Sequence, residues 1–159
     1  MLFAILSCVF FVWPAGSRLR DVRAVLSLDG PDEQQRLDLA LKVMREGYAP
    51  VLLFSQGAYR SEPCPHVRGV RVVCFEPRPA RTVGEITFAA RYEEERGWHS
   101  LIVVSGHTQA TRARVLVTRC FRGSAVVLPA PQPPWMEVPY QVLYEWGALA
   151  KALVVDTGC

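Results

Sequence analysis

Short apolar runs rich in β-branched residues alternate along this chain with longer stretches where apolar positions recur every three or four residues. Val22–Leu28, Pro50–Phe54, Val70–Phe75, Ser100–Val104 and Ala125–Leu128 read as strands. Their near-continuous apolar character suits strands buried on both faces. Between them, Leu37, Ala40, Leu41 and Met44 form a helical stripe within Asp32–Gly47, closed by Gly47. Val83, Ile86 and Ala90 mark the core face of a second helix that ends at Gly97. Ala110, Ala113 and Val117 mark a third, and Leu143, Trp146, Ala150 and Leu153 a fourth after the proline-rich loop Pro129–Pro139. Strands alternating with helices in this way predict an α/β fold. The expected form is a three-layer α/β/α domain around a mostly parallel sheet of about five strands.

The beginning of the chain breaks this pattern. The first 13 residues, MLFAILSCVFFVW, carry no charge, and Pro14 and Gly16 end the run. A spanning helix needs about 20 apolar residues, and a secretory signal needs a basic start. Residues 1–16 therefore read as a truncated membrane anchor, with a start codon placed too far downstream, and 21–159 as the α/β domain. The competing reading is a first apolar element of a soluble domain. Arg18, Arg20 and Arg23 after the run argue for a cytoplasmic domain. Cys64, Cys74 and Cys120 argue for an oxidising compartment if two of them pair. Cys64–Cys74 and Cys74–Cys120 are equal candidates, and unpaired cysteines serving as small core residues are the leading expectation.

Composition narrows the function classes. Eighteen basic and 15 acidic side chains leave a net charge of +3 over 159 residues, too balanced for a phosphate-backbone binder, so no nucleic-acid partner is expected. Lys42 and Lys151 are the only lysines. The arginine bias fits anion binding or simply GC-rich coding. GxGxxG, GxxxxGK[ST], GxSxG and CxxC are all absent. Ordinary dinucleotide, P-loop, hydrolase and zinc readings thereby lose their main support.

In a parallel sheet every strand ends on the same edge, where ligands bind near the point at which strand order reverses. The polar residues after each strand are therefore the candidate ligand-binding set. They are Asp29 and Gly30, then Ser55, Gln56 and Gly57, then Thr82 and Glu85, then Ser105, His107 and Gln109. Arg36 and Arg112 add forked donors suited to phosphate or carboxylate. Each has a structural alternative. Thr82 and Glu85 fit a capping box, Ser105 an N-cap, Asp29 a helix cap, and Gly30, Gly57 and Gly106 turn positions.

The order of these loops over residues 21–128 resembles the YdcF-like family of SanA and ElyC type, in its actinobacterial form. The resemblance rests on Asp29-Gly30, Arg36 and Gly47; on Ser55-Gln56-Gly57; on Glu76, Thr82 and Glu85; and on Ser105 with Arg112-Ala113. The chain departs from the family at Gln109, where members carry a His, and at Pro79 and Arg81. His107 stands two positions before Gln109. The resemblance implies a Rossmann-like, membrane-associated domain of cell-envelope biogenesis, on the extracytoplasmic side, that binds a small phosphate- or nucleotide-like anion. No other cofactor and no metal is expected. One alternative is a hydrolase or transferase acting on a phosphorylated lipid or sugar, with Glu85 and His107 as candidate catalytic residues. A cytoplasmic regulator binding a nucleotide or S-adenosylmethionine is the other.

Overall fold

The computed structural model describes residues 2–12, 22–31, 33–58, 63–131, 138–155 and 157–159. Pro14, Gly16, Arg18, Arg20, Asp32 and much of the proline-rich loop, to which the sequence analysis assigned roles, lie outside them. Five strands, β1 (Ala24–Ser27), β2 (Val51–Ser55), β3 (Arg71–Phe75), β4 (Ser100–Ser105) and β5 (Ser124–Pro129), form one sheet. Every pairing is parallel and the order is β3-β2-β1-β4-β5. This is the Rossmann-like arrangement, and strand order reverses between β1 and β4. Strand boundaries fall within two residues of the apolar runs.

Burial along the strands follows their place in the sheet. The three inner strands are buried almost throughout, whereas β3 and β5, at the edges, are half-exposed. Helix α2 (Glu33–Arg45) covers one face, with Leu37, Ala40 and Val43 packed on Val25, Leu52 and Ile102. Helices α3 (Thr82–Glu94) and α4 (Ala110–Cys120) cover the other, with Ile86, Ala89, Ala113 and Leu116 packed on Leu26, Leu53 and Val103. Burying large aliphatic side chains from both faces, at about 1.5–3 kcal/mol each, supplies the main stabilisation.

Two further helices lie beside this core. Helix α1 (Leu2–Ser7) continues into a π-helical turn, Cys8–Val12, and packs on α5 (Val138–Val154). Phe11, Val12, Val138, Val142 and Leu149 make a separate apolar cluster there. The face of α5 differs from the sequence expectation. Leu143 and Leu153, expected in the core, are exposed, and the buried stripe is Val142, Glu145, Leu149 and Ala152. A carboxylate inside that stripe hid it from an apolar count. Among the described residues no helix is long and apolar enough to cross a membrane.

Two disulfides overturn the expectation of unpaired thiols. Cys64 pairs with Cys74, and Cys120 pairs with Cys159, which rules out Cys74–Cys120. The first staples the preceding loop to edge strand β3; the second ties the C-terminal tail to the end of α4. Closing loops of 10 and 39 residues restricts the unfolded chain by roughly 3–4 kcal/mol each. Cys8 is free. Of five cysteines, the unfolded, unreduced protein is therefore expected to show one reactive thiol in a dithionitrobenzoate titration, and five after reduction. Five without reductant would remove both bridges.

Candidate functional site

A cavity of about 230 Å³ opens at the C-terminal edge of the sheet, at the reversal between β1 and β4. It exceeds the roughly 150 Å³ that holds a benzene ring but falls short of the 300–1,000 Å³ of drug-sized sites. Asp29, Gly30, Arg36, Gly57, Thr82, Glu85, His107, Gln109 and Arg112, all expected from sequence, line it. Ser55, Gln56 and Ser105 do not. Ser55 and Ser105 are buried at their strand ends, and the Gln56 N–H donates to the Phe75 carbonyl.

The floor is built from buried charge. Glu85, in the first turn of α3, accepts a 2.6 Å hydrogen bond from the Asp29 backbone N–H through its Oε1. The capping-box expectation fails here. Arg81 is the N-cap of α3 without a side-chain capping bond, and Glu85 reaches across to the exit of β1 instead. Burial pushes the Glu85 carboxyl up to about 7. The Asp29 N–H and the neighbouring Ser55 hydroxyl pull the other way, the Asp29 charge adds to the rise, and Arg36 opposes it. Arg36, only 1% exposed, donates from Nη2 to the Gly30 carbonyl. Asp29 presses so closely on Gly57 that a Cβ there would lie 2.4 Å from its Oδ2, so any larger residue would have to push the Asp29 side chain aside.

The wall is a chain of polar contacts around Arg112, in the first turn of α4. Its Nη1 donates to Thr82 Oγ1 at 2.8 Å, and Gln109 Nε2 donates to the same oxygen at 3.1 Å. Gln109 Oε1 accepts from the Gly106 N–H at 3.1 Å, closing the turn ahead of the helix. The N-cap of α4 is Gln109, not Ser105 as the sequence suggested. The remaining Arg112 donors, Nε and Nη2, both meet the Glu145 carboxylate of α5 at 2.9 Å. Burial works against the Arg112 charge, but the Glu145 carboxylate outweighs it and holds the guanidinium above its ordinary value.

His107 faces elsewhere in its chemistry. Its Nδ1 lies 3.1 Å from the Ala130 carbonyl and its Nε2 2.8 Å from the Val12 carbonyl, so each ring nitrogen faces a backbone acceptor and whichever carries a proton donates to it. Together with Thr111, which donates to the Phe10 carbonyl, it fastens the N-terminal segment to α4. His107, Glu85 and Arg112 line the same cavity, and among the described residues no hydrogen bond joins His107 to either of the other two. What sequence reasoning missed is the contribution of α5: Tyr140, Gln141, Tyr144, Glu145 and Lys151 also line the cavity. The available signal was Glu145 itself, the lone acidic residue of an otherwise apolar helix.

Two outcomes follow from this buried charge. Since the folded Glu85 carboxyl titrates near 7 against an ordinary 4.5, the stability it contributes is complete below pH 4.5. It is lost as pH rises through 7. Glu93, raised to about 7 chiefly by burial, behaves alike. Urea titrations at pH 5 and pH 8 should show Glu85→Gln losing less stability over that range than the wild type, by about 3 kcal/mol at most. Identical pH dependence in the two proteins would contradict it. Separately, Arg112→Ala leaves Glu145 buried without its partner and should cost about 3–5 kcal/mol, part of which Arg112→Ala/Glu145→Ala recovers. A double variant whose loss equals the sum of the losses in Arg112→Ala and Glu145→Ala would show that the pair is not coupled.

Compared with known proteins, the chain matches no family model, no curated protein and no solved structure. Its site is therefore defined by its own chemistry, a cavity of about 230 Å³ walled by the Arg112–Glu145 pair and floored by a carboxyl that titrates near neutrality.

Proposed function

We propose that the chain is an envelope-associated YdcF-like domain that binds a small phosphate- or nucleotide-like anion at the C-terminal edge of its sheet. The observation that carries this reading is Arg112 in the first turn of α4: Glu145 and Thr82 take three of its five N–H groups, and a second N–H on each of Nη1 and Nη2 remains for a ligand. A guanidinium beside a helix N-terminus is the arrangement that recognises phosphate by paired, charge-assisted hydrogen bonds. Arg36, Arg81 and Lys151 add positive charge to the same cavity.

Two disulfides support the extracytoplasmic side over a cytoplasmic regulator, because such bridges persist in oxidising compartments. Contact with the membrane through the N-terminal segment is supported by the surface that α1 and α5 share. Phe3, Ile5, Val9 and Phe10 are exposed on one, and Tyr140, Leu143 and Tyr144 on the other. Apolar side chains flanked by tyrosines suit the boundary between acyl chains and head groups.

A second reading, hydrolysis or transfer on a phosphorylated lipid or sugar, is favoured by one observation. Glu85 lines the cavity and changes protonation near pH 7, as a general acid or base requires. The commitment of His107 to backbone carbonyls and the Gln at position 109 favour binding over catalysis.

Native mass spectrometry of the oxidised chain with inorganic phosphate, adenosine monophosphate and glucose 1-phosphate tests the reading. At least one phosphate compound should be retained. Arg112→Lys keeps the charge opposite Glu145 but not the fork, and should weaken retention about 10- to 150-fold. The absence of any adduct, or equal retention by Arg112→Lys, would overturn the anion site. Turnover of a bound phosphomonoester that Glu85→Gln abolishes would convert the binding domain into an enzyme.

A further inference from the structure

We infer that the site binds an anion and a proton together, the proton being held on Glu85 whenever an anion lies against Arg112 and Thr82. The inference rests on the anion-binding reading of the cavity and adds the condition under which it fills. Thr82 marks where the anion sits. Its Oγ1 accepts from Arg112 Nη1 at 2.8 Å and from Gln109 Nε2 at 3.1 Å, so both lone pairs are used and its own O–H is left to donate. Thr82 is 5% exposed, and among the described residues no protein acceptor bonds that O–H. A second N–H on Arg112 Nη1 and another on Nη2 remain beside it, while Glu145 keeps its own two contacts. These three donors lie around one guanidinium–hydroxyl contact, and a ligand that accepts from them leaves the Glu145 pair intact.

Glu85 stands next to that position. It follows Thr82 by three residues in the first turn of α3, so the two side chains share a face, with Cβ atoms roughly 5–6 Å apart. Both line the cavity. The neighbouring elements each bring a group to it: the Asp29 N–H and carboxylate from the exit of β1, Ser55 from β2, Arg36 from α2 and Arg112 from α4. With Glu145 opposite Arg112, the charges around it already balance, Asp29 and Glu145 against Arg36 and Arg112. An ionised Glu85, 2% exposed, is the excess negative charge. An anion at Thr82 brings further negative charge within a few ångströms, where water does little to screen it. A proton on Glu85 removes that repulsion at small cost, because burial already raises the carboxyl to about 7. Arg81 and Lys151 also line the cavity, but they are exposed and solvent screens their charges. Glu93, on the same helix, provides the contrast. It too is buried and raised to about 7, but it accepts from the Ser100 N–H at the start of β4, the opposite end of the sheet, and should not respond to a ligand.

The test uses the full oxidised chain and phenyl phosphate, whose second ionisation lies at roughly 6, so that the probe is a dianion at pH 7.5. Calorimetry at that pH in buffers of differing ionisation heat should show uptake of roughly 0.5–0.8 proton per ligand, the share by which a carboxyl titrating at about 7 falls short of full protonation. Affinity should drop about five- to tenfold from pH 7 to pH 8.5. In Glu85→Gln, a neutral side chain of the same shape, the uptake should fall to near zero and the drop with pH should flatten. Wild type that binds phenyl phosphate without taking up a proton, or a folded Glu85→Gln that keeps the uptake, would overturn the linkage while leaving the anion site standing. Folded wild type that binds no phenyl phosphate would remove both. Carbon-13 spectra of the wild type give a second readout that needs no variant. Of the glutamate carboxyl signals of Glu85 and Glu93, which both titrate near 7, one should move toward its protonated position as phenyl phosphate is added at pH 7.5. Both moving together, or neither moving, counts against the inference.

Discussion

The parallel pairing of all five strands is the constraint on which the rest of this structure depends. Because each crossover returns the chain to the same end of the sheet, every strand exit falls on one edge, and the exits of β1 and β4 part where the order reverses. Asp29 and Gly30 leave β1, Gly57 follows β2, Thr82 and Glu85 open the helix after β3, and Gln109 and Arg112 stand at the start of α4. Residues up to 123 positions apart, from Asp29 to Ala152, thus share one small cavity without any local motif to announce it.

That cavity concentrates the buried charge of the molecule in a way a purely structural core would avoid. Arg36, Glu85 and Glu145 are each less than a tenth exposed, and burying ions costs several kcal/mol apiece unless partners are supplied. The partners are present but arranged unequally. Arg112 and Glu145 neutralise each other at two-point contact, whereas Glu85 receives a backbone N–H and escapes much of its cost by holding its proton up to about pH 7. A buried ion pair and a titratable acid lining one cavity are features of a site that handles charge.

The periphery bears on both access and compartment. Helix α5 closes one side of the cavity and is tied at its far end, where Cys159 meets Cys120 of α4. Its opposite flank holds α1, through the Phe3 and Phe11 contacts with Trp146 and the bond from the Trp146 indole to Ser7. His107 sits at the seam of these layers, its two ring nitrogens facing carbonyls of the N-terminal segment and of the residue after β5. A residue that sequence reasoning placed in the chemistry is thus a fastener, and the helix it helps to position supplies the carboxylate that meets Arg112.

The sequence by itself determined the architecture. Continuous apolar runs and three-to-four-residue periodicities are written locally, so the strands, the helices on both faces and the shared edge were legible, as were nine of the residues that line the cavity. The roles of those residues were not, because the same Thr82 and Glu85 spacing serves a cap or a long-range bond, and only the approach of β1 to α3 decided for the latter. The face of α5 was misjudged for a related reason. An apolar stripe with a glutamate in it looks broken until Arg112 arrives from 33 residues away to satisfy the charge. Cysteine pairing, the commitment of His107 and the strand order likewise depend on which distant segments meet. Such meetings are set by packing of the whole chain, and local pattern carries no record of them.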